Sequence, residues 1–236
     1  MNQKAIANFA SNTEDTAFNK KLTVQANNPK NLDQAVHNVL LGIELISVVE
    51  NAYEEIASIL SQIKYWVSFS LKSSSENTQT SDLETSISLK LKVLDQTAET
   101  FKHKGQKILD GSMSASVKTD SHYFLVVGVN GSPEDRIDLN TSLNIPSISS
   151  KILGLEELSI SSPQIGLKGL ILLENALTVT TRLKQRSAAL GTLLQRVNQH
   201  LLTAIENHHA ANMTPDSSEQ TKEFIRVATD FIKNNN

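Results

Sequence analysis

Three histidines lie close together toward the C-terminal end of this 236-residue chain, and histidine is a residue type that binds metals. His200, His208 and His209 carry imidazole nitrogens, which are common ligands of zinc and other transition metals. His200 and His208 would share one face of a helix, but at about 12 Å from each other they are too far apart to bind one ion. We therefore interpret the three histidines as polar interruptions of a helical seam, and we predict no metal site.

Two neighbouring carboxylates, Glu54 and Glu55, could in principle act as a general acid and base. Consecutive helix positions point about 100° apart, so these two side chains would not face one substrate and instead indicate a solvated helix face. The sequence contains no nucleotide, zinc or calcium motif, no Gly-x-Ser-x-Gly elbow and no His-Glu-x-x-His pair. We therefore predict that the protein is not an enzyme and uses no cofactor.

Composition restricts the partners that the chain would bind. The 22 basic and 25 acidic residues give a formal net charge of −3, so there is no electrostatic reason to expect nucleic acid or an anionic membrane as a partner. The absence of cysteine excludes disulfides and thiolate metal sites. Three triplets, at Asn130, Asn140 and Asn212, match the N-glycosylation sequon, but this pattern is too common by chance to support a prediction.

The hydropathy pattern predicts neither a signal peptide nor a membrane span. The first residues contain one lysine and no apolar run of the length that a signal peptide requires. No stretch approaches the roughly 20 consecutive apolar residues that span a bilayer, so we expect no membrane insertion. If the protein leaves the cell, we expect it to do so without a cleaved signal peptide.

A long apolar seam at helical spacing dominates the first third of the chain. Its members follow one another at steps that average about 3.5 residues, which is typical of a helix packed lengthwise on a partner. We predict a helix over 29–71 that begins at Pro29 and is roughly 64 Å long. The seam residues are Leu32, Val36, Val39, Ile43, Ile46, Val49, Tyr53, Ile56, Leu60, Ile63 and Val67.

A second helix is predicted over 81–104. Ser81 and Glu84 have the spacing of a capping box at its start, and the cationic run before Gly105 is typical of a helix C-terminus. Its apolar face consists of Leu83, Ile87, Leu91, Leu94, Ala98 and Phe101.

The remaining sequence predicts a β insert over 111–163 and a third helix over 166–212. The β-rich run at 123–127 precedes an Asn130-Gly131 turn dipeptide, and Pro215 ends the third helix. The seam of this helix consists of Ser187, Leu190, Leu194, Val197, Leu201, Ala204 and His208. The fold class is therefore mainly α, a long antiparallel helical bundle with a small β-hairpin insert.

One cluster of rings does not fit a simple two-helix seam. Trp66 lies next to Tyr65 and is followed by Phe69, and because consecutive helix positions point about 100° apart, it cannot be buried between two helices together with both of those rings. Two interpretations follow for Trp66, the sole tryptophan: a wide core where the β insert packs, or a contact between subunits.

Several segments together resemble bacterial flagellins. Asn31-Leu-Asp-Gln-Ala35 is similar to the Gly-Leu-Asn-Gln-Ala segment of that family, and Phe101-Lys-His-Lys-Gly-Gln-Lys-Ile-Leu-Asp-Gly111 resembles its Phe-Asn-Gly-Gln-Lys-Leu-Leu-Asp-Gly. Arg186-Ser-Ala-Ala-Leu-Gly191 resembles its Arg-Ala-Ala-Leu-Gly. These matches occur in the order of the family and cover roughly residues 14–212.

The resemblance implies a structural subunit of the bacterial flagellar filament, without catalysis. It implies copies of the same or another flagellin as partners, and export by the flagellar apparatus, with an export chaperone at the C-terminal tail. The mature protein would be secreted and located in the flagellum. No variable outer domain is inserted between Gly111 and Ile165, which implies a minimal subunit.

The sequence also departs from the flagellin pattern in two places. The ends are short, so we expect 1–28 to be a remnant of the inner-core segment, 29–212 to form the core domain and 213–236 a short amphipathic tail. We expect weak association unless a filament seed is present. A small terminal seam could form from Ile6, Phe9, Phe224, Val227 and Phe231.

The second departure lies in the segment that makes subunit contacts in flagellins and that the innate immune flagellin receptor reads. Its residues here are Gln62, Lys64, Tyr65 and Trp66, where Gln62, Tyr65 and Trp66 replace the Arg, Glu and Leu of the family. Two other functions remain open at this point, a hook-filament junction protein and a non-polymerising surface adhesin that binds through the β insert.

Overall fold

The computed structural model describes residues 29–72, 77–128 and 135–213. The predicted remnant at 1–28, the Asn130-Gly131 turn, Pro215 and the tail after residue 213 lie outside the described residues. The five residues of the predicted terminal seam lie outside them as well.

Two long helices pair along their lengths. Helix α1 covers Pro29–Lys72 and helix α4 covers Pro163–Met213, close to the predicted ranges. Lys184 Nζ lies 3.1 Å from Glu54 Oε2, and Lys64 Nζ lies 3.1 Å from Glu174 Oε1. Since residue numbers rise along one helix as they fall along the other, the pair is antiparallel, as predicted.

The core lies between the predicted seams. Every predicted seam residue of α1 and α4 is buried or half-buried. Leu173, Ala176 and Thr180 extend the α4 seam toward the start of that helix. The buried Thr180 hydroxyl donates to the Ala176 carbonyl, and the Ser187 hydroxyl donates to the Leu183 carbonyl. These polar seam positions are therefore satisfied within their own helix.

The sequence expectation that no segment could span a bilayer is wrong for α1. Its span Asn31–Lys72 is long and apolar enough to cross a membrane by length and composition, and 39% of its most apolar window is buried inside the structure. A core helix of a soluble protein passes the same test. Here the apolar seam of α1 faces α4, which gives it a protein partner.

Helix α2 covers Asn77–Thr100, so it begins and ends about four residues earlier than predicted. Its apolar face packs on the core as expected. The predicted capping box is wrong, because Ser81 lies inside the helix. Glu84 instead accepts hydrogen bonds from the Ser159 hydroxyl at 2.5 Å and from the Ile160 amide at 2.9 Å. This carboxylate therefore fixes the loop before α4.

The expected cationic last turn of α2 is a β-hairpin. Strand β1 covers Lys102–His103 and pairs antiparallel with β2 at Gln106–Lys107. Lys104 and Gly105 connect the strands with φ of 50° and 84°. Two consecutive positive φ values are typical of the tight hairpin turn whose twist matches the strands, and glycine adopts them without strain.

The β insert contains less strand than predicted. Strand β3 at Phe124–Val126 pairs antiparallel with β4 at Arg136–Asp138, and the short helix α3 follows at Leu139–Leu143. Most of the other described residues in 111–128 and 135–162 are in turns and extended backbone. Backbone polar groups there are satisfied by side chains, which a pattern of apolar residues does not reveal.

Asn140 organises this insert. It is fully buried, its Oδ1 accepts from the Tyr123 amide at 2.8 Å, and its Nδ2 donates to the carbonyls of Ser112 at 2.9 Å and Ser114 at 3.0 Å. The sequon at Asn140 therefore has a structural role in the folded chain.

The insert lies against the first half of α1. Asn38 Nδ2 donates to the Val126 carbonyl at 3.0 Å. At Gly42, an added Cβ would lie 2.5 Å from a Leu125 methyl and 2.9 Å from a Leu194 methyl. Glycine at this position thus allows β3, α1 and α4 to approach closely.

Candidate subunit-contact surface

The predicted contact segment lies where the last turns of α1 pack beside the first turns of α4. We call residues 61–72 of α1 together with 163–179 of α4 the distal end. An added Cβ at Gly166 would lie 3.0 Å from a Leu71 methyl, so the two helices are in close contact there. The Lys64 and Glu174 ion pair joins them further along.

An exposed aromatic pair marks the α1 side of the distal end. Tyr65 is 66% exposed and Phe69 is 46% exposed, and their rings stack with centroids 6.4 Å apart at 26° between planes. Gln62, about one turn before Tyr65 and two turns before Phe69, is exposed as well. Large apolar rings that remain accessible can bury substantial area in a protein contact.

Trp66 has a different environment from its neighbour. It is half-buried and packs against the main core, which favours the core interpretation of this residue. Lys64 is also half-buried, and its ion pair with Glu174 is exposed enough to stabilise the helix pair only slightly. Of the predicted segment, Gln62 and Tyr65 are thus the residues accessible to a partner.

The α4 side carries exposed aliphatic residues that the sequence analysis missed. Leu167 and Ile171 are four residues apart and share one face. Ile165, Leu172 and Val179 recur every seven residues along another. The sequence does contain a signal for this exposed surface. Three consecutive apolar residues at 171–173 cannot all face α1, so at least one of them must lie on another face of the helix.

A groove of about 380 Å³ borders this surface, between the 151–159 segment and α4. Leu158, Ile165 and Leu172 contribute its apolar lining, and Lys151, Glu157 and Lys168 contribute charges of both signs. A surface of this kind suits contact with another protein better than selective binding of one ion.

Groups suited to acid and base chemistry are not assembled at this surface. Within 29–72, 77–128 and 135–213, no group of three or more His, Cys, Asp or Glu side chains is placed to hold a metal ion. His208 and His209 lie near each other with ring centroids 6.4 Å apart, and His200 is exposed. Glu54 and Glu55 are both exposed, as the predicted solvated face requires.

One buried titratable group lies in the α1 seam. Burial raises the pKa of the Tyr53 hydroxyl far above its ordinary value of about 10, while the positive charge of Arg186 opposes this shift. The hydroxyl has no hydrogen-bond partner among the described residues. Tyr53 therefore remains neutral at physiological pH and contributes packing.

Comparisons with known proteins identify this architecture. The family model for the bacterial flagellin N-terminal helical region matches residues 5–114. The flagellar filament 30.7 kDa core protein of Treponema maltophilum is 22% identical over 226 residues, which cover 92% of this chain and 75% of that protein. The chain is therefore similar to flagellins, through the family model over its first half and through this relative over most of its length. Flagellins are structural rather than enzymatic, and they polymerise with other flagellin subunits.

This assignment agrees with the antiparallel α1 and α4 pair and the small antiparallel sheet. The segments that suggested the family, 31–35 and 101–111, lie in α1 and in the turn region around β1 and β2. Both fall within the residues that the family model matches.

Proposed function

We propose that this chain is a flagellin-like structural subunit of the bacterial flagellar filament, where it forms a homopolymer or a copolymer with flagellins. The single observation that supports this proposal best is the distal end, where Tyr65 and Phe69 on α1 and Leu167 and Ile171 on α4 are exposed on a rod whose seam is otherwise buried. The similarity to a filament core protein favours a filament subunit over a hook-filament junction protein.

Burial of these side chains would supply much of the free energy of a subunit contact. Complete burial of a large apolar side chain contributes roughly 1.5 to 3 kcal/mol relative to exposure. The four residues named above are 46 to 66% exposed, so burial of each in a subunit contact would contribute part of this free energy. Repetition of the contact along a filament adds to the total, because each subunit meets several neighbours.

The similarity to flagellins also supports proposals on catalysis, location and export. The subunit acts without catalysis or cofactor, it is located in the extracellular flagellum, and it passes through the flagellar export apparatus without a cleaved signal peptide. An export chaperone binds the C-terminal tail. No membrane insertion is involved, because α4 covers the apolar seam of α1.

Seeded assembly tests the proposal. The purified chain would be mixed with sheared filament fragments of a flagellin, and growth would be measured by sedimentation and electron microscopy. We expect the chain to extend the fragments. Failure to enter the pellet at any protein concentration, with or without fragments, would contradict a filament subunit.

A matched pair of double variants tests the distal surface separately. Tyr65→Ser with Phe69→Ser removes the stacked rings, and Leu89→Ser with Val93→Ser removes an equally spaced, similarly exposed pair on α2. We expect the first variant to raise the concentration needed for growth about tenfold or more, as loss of a central contact residue does. Equal effects of the two variants would show that the distal surface has no special role.

A further inference from the structure

His122 in the β insert makes two hydrogen bonds that join three segments. Its Nδ1 lies 2.8 Å from Asp138 Oδ2, and its Nε2 lies 3.0 Å from the Val117 carbonyl oxygen. The side chain is only 6% exposed. The ring therefore connects the turn at 117–121 to the junction between β4 and α3.

Both partners of the ring are acceptors. A carboxylate and a backbone carbonyl have lone pairs and no proton to donate, so each needs an N–H from the imidazole. Neutral histidine has one N–H and one lone pair, whereas the imidazolium has two N–H groups. Only the protonated ring makes both bonds, and either neutral tautomer places a lone pair against an acceptor.

The surroundings of the ring favour its positive charge. The hydrogen bond to Asp138 raises the pKa of His122, burial opposes it, and the Val117 carbonyl and the charges of Asp138 and Asp120 raise it further. Within the described residues, the charged groups that act on His122 are thus Asp138 on β4 and Asp120 on its own turn, both acidic. The ring of Phe124 on β3 lies 6.4 Å away and is uncharged.

Asp138 is itself fixed in place. Its Oδ1 accepts from the Thr141 amide at 3.1 Å and its Oδ2 accepts from the Thr141 hydroxyl at 2.7 Å, so it caps the start of α3. Loss of the hydrogen bond from His122 would therefore act on the residue that caps α3.

We propose that His122, Asp138 and Val117 form a pH-dependent clamp that holds the 117–123 segment to the β4–α3 junction while His122 is protonated and loosens it when the ring loses its proton. The segment that the clamp holds ends at Tyr123, whose carbonyl accepts from the Leu139 amide at 2.9 Å. Tyr123 and Phe124 are exposed at 38% and 48%, so the clamp controls how two surface aromatics are presented.

The direction of the pH effect follows from the raised pKa. The contribution of the clamp is complete below the pKa of an unfolded histidine, about 6.5, and is lost as the pH rises through the higher pKa of the folded state. The insert is therefore held most firmly in mildly acidic solution and loosens toward alkaline pH.

Nuclear magnetic resonance of the full chain tests the clamp. Imidazole resonances would be followed from about pH 5 to about pH 9, together with amide hydrogen exchange at Tyr123 and Leu139 corrected for intrinsic rates. We expect His122 to titrate above the ordinary histidine value of about 6.5. We also expect protection at the two amides to fall by about tenfold for each unit by which the His122 pKa exceeds 6.5.

Variants separate titration from a merely structural role. His122→Gln should abolish the pH dependence of protection at Tyr123, and the matched control His200→Gln on the exposed face of α4 should leave it unchanged. Asp138→Asn should lower the pKa of His122. If His122→Gln does not fold, the titration of the natural chain still decides the matter. A His122 pKa at or below the ordinary value of about 6.5, or protection that does not vary with pH, would overturn the proposal.

Discussion

Leu194 on α4 is the position where one substitution tests the whole arrangement of the rod. Its side chain is fully buried, and one of its methyl groups lies 2.9 Å from where a Cβ at Gly42 would be. A methyl group of Leu125, in the β insert, lies 2.5 Å from the same Cβ position. Replacement of Leu194 by Asp therefore places a carboxyl group where α1, α4 and β3 meet.

The expected loss of stability has two parts. Removal of a buried leucine costs about 1.5 to 3 kcal/mol of apolar burial. The carboxyl group, surrounded by leucine and glycine, adds about 1 to 3 kcal/mol for a polar group without a partner, and takes up a proton rather than remain charged. A total near 4 kcal/mol is a large part of the roughly 5 to 15 kcal/mol that stabilises a domain.

Thermal unfolding followed by circular dichroism measures this loss. For a chain of this size, about 4 kcal/mol corresponds to a decrease in Tm of roughly 10 °C. Gln195→Asp is the matched control, because it introduces the same side chain at the exposed neighbouring position and should change stability by about 0.5 kcal/mol or less. A Tm for Leu194→Asp equal to that of the control would refute the packing of α4 on α1.

Three further outcomes are expected. Asp95→Ala removes the acceptor for the Ser150 amide and hydroxyl, at 2.6 and 2.8 Å, and should lower the free energy of unfolding by about 1.5 to 3 kcal/mol in urea titrations. Burial alone would raise the pKa of Asp138, but the hydrogen bonds from Thr141 and His122 lower it overall. The contribution of Asp138 to stability should therefore be complete above about pH 3.9 and be lost in more acidic solution. Acid titration followed by circular dichroism measures this loss. The resemblance implies that Gln62 and Tyr65 replace charged residues of the segment that the innate immune receptor reads in flagellins, so we expect a dose-response assay to show weaker signalling than an ordinary flagellin gives.

The rod could be predicted from sequence because its cause is periodic. Leu60, Ile63 and Val67 recur at helical spacing, and the same spacing continues at Leu190, Leu194 and Val197, so each buried face can be found without knowledge of the other. The antiparallel direction then followed from the order of elements along the chain.

The insert and the end of α2 could not be predicted in the same way. Lys102 to Lys104 suit a helix end by charge, but the Phe101 carbonyl accepts from the Ile108 amide and closes a hairpin, a contact between residues seven apart that no periodicity signals. Glu84 likewise has capping spacing with Ser81, yet its carboxylate binds a loop 75 residues away. Hydrogen bonds between distant segments override local preference at these places.

The exposed surface of the distal end escaped the sequence analysis for a related reason. The seam predicted for this helix begins at Ser187, so the prediction assigned no face to Leu167 and Ile171, which are exposed in the structure. A monomer gains nothing from apolar side chains on the outside of a rod, whereas a subunit that packs against its neighbours does.

The two proposed functional regions lie at different levels of the rod. The β insert packs on α1 near Gly42, and the stacked rings begin at Tyr65, 23 residues further along one helix, or roughly 35 Å. Residues so far apart without shared partners affect stability independently. We therefore expect loosening of the proposed His122 clamp to leave the proposed distal contact intact, so that pH would change the presentation of Tyr123 and Phe124 without loss of that contact.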